Sequence, residues 1–146
     1  METGSKVSFT VYGEPQGKAR ARTVRNQYTG KTMSYTPDKT ALYENLIRME
    51  YQAQCRGHFF PRGTAVAVRI DCYMKPPKGK RPGRPMKKPD ADNVAKTVSD
   101  ACNGVAWYDD TQITDLEVHK YWAAEQPRIE VKIWEAEAWS EVLRSG

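Results

Sequence analysis

No apolar run in this chain extends beyond a few residues. A membrane-spanning helix, which needs about 20, is therefore excluded. The N-terminal Met-Glu-Thr-Gly-Ser-Lys has neither an apolar stretch nor a cleavage site, so no secretory signal is expected. The expectation is a soluble, cytoplasmic protein. Cysteine is scarce: Cys55, Cys72 and Cys102 are odd in number and form no CxxC pair. His58 and His119 lack metal-ligand spacing, so neither a zinc site nor a disulfide framework is expected. Reduced, buried thiols are the simpler reading. Ten glycines and nine prolines among 146 residues exclude a collagen-like or low-complexity chain. Four Trp, eight Tyr and three Phe suffice for one core, and the length suits a single domain over residues 1–146.

Acid is missing from two stretches, and these hold the excess of the +5 net charge. Between Lys75 and Lys88 stand Lys75, Lys78, Lys80, Arg81, Arg84, Lys87 and Lys88, with four prolines. From Pro15 to Tyr35 come Lys18, Arg20, Arg22, Arg25 and Lys31. Prolines 76, 77, 82 and 85 forbid a helix or a central strand, so residues 75–89 read as an extended cationic loop. Such a loop suits the phosphates of nucleic acid; a solvated surface loop is the plainer alternative. No amphipathic helix accompanies it to favour a membrane surface.

Alternation at Val7, Phe9 and Val11 predicts a first strand, and Thr29-Gly30 a hairpin tip. Thr36-Pro37-Asp38 starts a helix, with a hydroxyl cap, Pro at the first position and an acid in the first turn. Its predicted buried stripe is Leu42, Leu46, Met49 and Ala53, and its end lies near Arg56-Gly57. Val66 to Met74 alternates as a half-buried strand. Asp90 or Asp92 opens a second helix that buries Val94, Val98, Ala101 and Val105, and Asn103-Gly104 closes it. Strands follow at Ile113–Trp122 and Arg128–Trp134, turning at Gln126-Pro127. The tail, 135–146, permits a short helix. The expected fold is α+β, a mixed or antiparallel sheet covered by two main helices.

The chemistry is concentrated between Lys88 and Ile113. Asp92, Lys96 and Asp100 recur every four residues and share a helix face with Asn93 and Asn103, opposite the valines. Asp90 and Asp92 stand at the helix entrance, where N–H groups favour negative charge. Asp109-Asp110 returns after the helix stop, beside its start or well away from it. If Asp90, Asp92 and Asp110 converge, they suit Mg²⁺ or Mn²⁺. Lys96 and the basic loop would then complete the equipment for phosphodiester hydrolysis. The plainer alternatives are a helix cap at Asp90 or Asp92, an exposed i,i+4 pair at Lys96, and a turn at Asp109-Asp110. Gly13-Glu-Pro-Gln-Gly17-Lys18 is not a phosphate-binding P-loop. It has three residues between its glycines rather than four, and Ala19 where Ser or Thr is needed. A restriction-enzyme core is excluded too, because Asp92 and Lys96 are separated by three residues on a helix.

Lys88-Pro-Asp-x-Asp-Asn-x-x-Lys-x-x-x-Asp-Ala-x-Asn-Gly, then Tyr-Asp-Asp-x-Gln-Ile, resembles the RusA family of Holliday junction resolvases. Gly17-Lys-Ala-Arg-x-Arg after the first strand belongs to the same resemblance, which spans roughly Val7 to Trp134. It implies a small dimeric endonuclease, often prophage-borne, that cuts four-way DNA junctions with Mg²⁺ in recombination and repair. It also implies that Asp90, Asp92 and Asp110 are the catalytic, metal-holding acids and Lys96 the essential lysine. Asn93, Asp100 and Asp109 would support them. The bases expected on DNA are Lys18, Arg20, Arg22, Arg25, Lys75, Lys78, Lys80, Arg81, Arg84, Lys87 and Lys88, and no nucleotide cofactor is expected. Ala21, where many relatives have Pro, and Cys102, in place of an apolar residue, are small departures. Tyr73, Trp107 and Tyr108 are candidates for stacking on unpaired bases. Two other functions fit the same residues: a broader nuclease of flaps and forks, and a non-catalytic DNA-binding scaffold.

Overall fold

Alternating side chains build the strands, and the way these pair decides where a site forms. The computed structural model describes residues 5–18, 22–35, 38–79 and 83–137. In chain order it has β1 (Lys6–Tyr12), β2 (Arg22–Arg25), β3 (Thr32–Tyr35), α1 (Asp38–Gln54), β4 (Val66–Met74), α2 (Ala91–Cys102), β5 (Ile113–Trp122) and β6 (Arg128–Glu135). A four-stranded sheet runs β1-β6-β4-β5, and β2-β3 is a separate hairpin. β6 is antiparallel to β1 and β4, while β4 and β5 are parallel. The fold is a single-domain α+β one with a mixed sheet, as expected. Parallel strands need a crossover, and here it carries the basic loop and α2.

One face of β4 is Val66, Val68, Ile70, Cys72 and Met74, all buried. They join Phe9, Val11, Ile129, Val131 and Ile133 in one core. α2 closes over it with Val94, Val98 and Ala101, as expected, and stops at Asn103 with Gly104 at φ +83°, so that Val105, expected on the same stripe, lies beyond the helix and is only partly buried. α1 departs from expectation. Leu42 and Met49 are 68% and 65% exposed, and the buried stripe is Thr40, Tyr43, Ile47 and Tyr51. The helix is rotated by about one residue, 100°. Tyr43, Ile47 and Tyr51 offer a broader apolar surface, and Tyr51 meets Phe9 edge-on at 5.4 Å.

All three cysteines are buried and free. The hairpin turns as predicted, with Gly30 at φ +72° and Asn26 Oδ1 accepting from the N–H groups of Tyr28 and Thr29. At the C-terminal end Glu135 belongs to β6 and the Ala136 N–H donates to Ala65. The expected tail helix falls mainly on 138–146, outside the described residues, as does the Thr36-Pro37 helix start. Among the described residues no helix is long and apolar enough to cross a membrane.

This topology has two ends. β1, β4 and β5 run the same way, and their C-terminal ends gather. There the Gly13 N–H donates to Pro127, that of Lys75 to Glu14, and that of Ala123 to Met74. α2 begins at this end and runs back to the other, where β5 starts.

Candidate active site

Both helices begin at the gathered end, and an open cleft of about 840 Å³ lies between their first turns. Lys18 after β1, Lys39 in α1, Lys88 and Asp90 before α2, and Asn93 and Lys96 on it line the cleft. Lys39, Lys88 and Lys96, with two helix N-termini, favour an anion there, while the Lys18 ammonium is taken up by Asp100 and Glu44.

The first turn of α2 takes its N-cap from the Asp90 backbone, whose carbonyl accepts from Asn93 and Val94. The Asp90 carboxylate makes no cap bond. A plain capping role is thereby set aside for Asp90, and its oxygens remain free for a ligand. Asn93 Nδ2 donates to the Lys18 carbonyl at 3.0 Å. Gly17 is required for this approach, because a Cβ there would lie 2.7 Å from Asn93 Nδ2 and 3.0 Å from Pro89 Cβ.

Asn93 thus anchors the segment that carries Lys18. The Lys18 ammonium bonds Asp100 and lies 3.5 Å from Glu44. The bond to Asp100 raises the Lys18 pKa above its ordinary value against the opposing effect of burial, with Glu44 adding to the rise. Lys96 is 3.9 Å from the same Asp100 oxygen, its side chain 64% exposed. The i,i+4 pair is therefore loose.

Asp110 lies at the opposite end of the molecule. α2 has 12 residues, about 18 Å at ~1.5 Å each, and the chain reaches Asp110 only after leaving its far end. That end is closed by Trp107 Nε1 donating to Asn103 Oδ1 and by the Phe60 N–H donating to Ala106. Asp109 caps the 3-10 turn Asp110–Gln112, accepting from the Thr111 N–H and hydroxyl at 3.1 and 2.6 Å. These bonds lower its pKa. Gln112 ties the turn to Pro61 and Thr64 carbonyls at 2.9 and 3.0 Å. Within one chain the structure brings together Asp90, Asn93, Lys96 and Lys18, and keeps Asp110 away. Among the described residues no group of three or more His, Cys, Asp or Glu side chains is placed to hold a metal.

The basic loop is partly fastened to the sheet. Arg84 lies 4.6 Å over the Tyr121 ring, Lys87 donates to the Lys75 carbonyl, and Lys120 donates to that of Lys87. Lys75, Lys78 and Lys88 are exposed, as is Arg25 on the hairpin. Arg20, Lys80 and Arg81 lie outside the described residues, as does the Arg22 side chain. Trp107 is fully buried and has no face for a base. Tyr73 stacks on Tyr121 at 5.3 Å, and Tyr108 lies under Arg62. Sequence reasoning missed Lys39 and Glu44. The signal for both was the Thr-Pro-Asp helix start, which puts them in the first two turns of α1.

The sequence matches the family model described as Endodeoxyribonuclease RusA over residues 12–134. It is 34% identical over 145 residues to the uncharacterized protein YqaN of Bacillus subtilis (strain 168), covering 90% of this chain and 98% of that one. The match takes in β1's end, the cleft, α2 and the Asp109-Asp110 turn together, and the chain belongs to the RusA family of endodeoxyribonucleases.

Proposed function

We propose that this protein resolves four-way DNA junctions by divalent-metal-assisted phosphodiester hydrolysis, as a homodimer making paired nicks, in recombination and repair. The observation that carries the reading is the free Asp90 carboxylate in a lysine-lined cleft, within the family's acidic motif. Mg²⁺ commonly takes one or two carboxylates plus substrate phosphates. Asp90 and Asp92 at one helix entrance fit that donor set, and Mn²⁺ shares the preference for oxygen.

A site that also includes Asp110 needs that residue from a second copy, since about 18 Å of helix separates it from Asp90 in its own chain. A two-fold pair of chains supplies the missing acid twice, and two sites suit a substrate of near two-fold symmetry. When bound, the metal supplies Lewis acidity and a water acidified for attack. The chain's own residues do the rest. Lys96 offsets charge building on the phosphorane oxygens. Lys39 and Lys88 hold neighbouring phosphates. The basic loop and hairpin bind the junction arms, and Asp109 fixes the turn that carries Asp110.

The test is a mobile four-way junction beside a matched linear duplex, with and without Mg²⁺, and with Asp110→Asn in parallel. Paired symmetric nicks in the junction alone, dependent on Mg²⁺ and Asp110, are the expected result. Equal cutting of flaps and forks would widen the substrate class. Tight junction binding without cleavage under any divalent metal would leave only a DNA-binding scaffold.

A further inference from the structure

We propose that Lys18 is a positioning residue: by neutralising Asp100 and Glu44 it leaves Lys96 extended toward the cleft. The inference rests on the proposed role of Lys96 only for its catalytic consequence. Two ammonium groups compete for one Asp100 oxygen. Lys18 is in hydrogen-bond contact with it, and Lys96 is at 3.9 Å, beyond that range. The Asp100 and Glu44 side chains are only 21% and 15% exposed. Glu44 Oε2 is buried without a hydrogen bond and has Lys18 as its near cation at 3.5 Å.

Lys18 is thus the one cation in contact with both carboxylates among the described residues. Partly buried charge without a partner is costly, so loss of Lys18 would draw in the nearest free cation. Among the described residues that cation is Lys96, one turn back on the same helix and already facing Asp100. Its side chain would fold onto Asp100 and withdraw from the cleft. The Lys18 backbone is built for this task, since Asn93 holds its carbonyl and Gly17 admits the close approach to α2. In this account Asn93 acts on the reaction through Lys18.

Lysine labelling by reductive methylation, read by mass spectrometry on the full chain without DNA or metal, tests the placement directly. The exposed Lys132 serves as the internal standard. Labelling of Lys96 is expected to fall several-fold in Lys18→Met, to return in Lys18→Met/Asp100→Asn, and to stay close to normal in Lys18→Arg. If Lys18→Met fails to fold, Lys18→Met/Glu44→Gln removes one stranded carboxylate, keeps Asp100 and is expected to show the same fall. Unchanged Lys96 labelling in the folded variant overturns the proposal. Junction cleavage is then measured on the same variants. The turnover rate should follow the labelling, while junction affinity and its salt dependence hold steady. A salt slope reduced by about 1 with Lys96 unchanged would make Lys18 a direct phosphate contact. Labelling that shifts as expected while cleavage does not would uphold the positioning and remove Lys96 from the chemistry.

Discussion

The proposed function divides the work between acids and lysines, and single substitutions test that division. Asp92→Asn or Asp110→Asn is expected to abolish cleavage while junction binding, measured by gel shift, stays largely intact. Binding that falls in parallel with cleavage would contradict the division. The thiols give a second prediction. Burial pushes Cys55 up to about 11 and Cys72 and Cys102 up to about 12. Each is an acid whose folded pKa lies above its unfolded value, so the folded state holds more protons between about pH 9 and 12. The stability these groups contribute is whole below about pH 9 and is lost as pH rises through that window. The denaturation midpoint should fall there. A thiol reagent at about pH 8 should find no reactive thiolate until the protein unfolds. At this scale the sequence was informative about residue type: the cysteines are free and buried, as their chemistry suggested. It could not show that Lys18 points inward, because the partner Glu44 comes from another helix.

The elements were legible wherever local signals were strong. α2 announced itself by valine spacing and by the Asn-Gly stop, and β4 by its alternation. α1 was legible as a helix but not in its rotation. Two stripes compete on it, and helical periodicity weighs Leu42 and Met49 as heavily as Tyr43 and Ile47. The choice is made by the sheet, where Phe9 and its neighbours take the larger aromatic face. Stability should report this. Ile47→Ala should cost about 2–5 kcal/mol, whereas Leu42→Lys or Met49→Lys should stay within about 0.5 kcal/mol, both read by urea denaturation. Equal losses on both stripes would contradict the rotation. Gly17→Ala should cost about 1–3 kcal/mol through overpacking against Asn93 and Pro89 and should lower cleavage with it. An unchanged Tm would mean that the segment lies farther from α2.

For the whole molecule, topology separates what the motif places close in sequence. The acids stand within a few tens of residues, yet a full helix lies between Asp90 and Asp110. Spacing alone left both arrangements open, because a return after a helix stop has no fixed direction until the strand it enters is paired. The parallel pairing of β5 with β4 settles that direction and sends Asp110 to the far end. The basic loop and hairpin give the molecule its cationic surface. If ~6–10 phosphates are neutralised, junction affinity should drop about 10³–10⁵-fold between 50 and 200 mM salt, and a flat profile would refute electrostatic binding.

Mixing two variants tests the proposed shared site most directly. Asp92→Asn and Asp110→Asn are each expected to be silent alone. In a mixed dimer one site collects both changes and the other collects none. After subunit exchange, mixing should restore junction cleavage to about a quarter of the normal site count, as single nicks that depend on a divalent metal. A mixture that stays silent, with mixed dimers demonstrated, would contradict a site built between two chains.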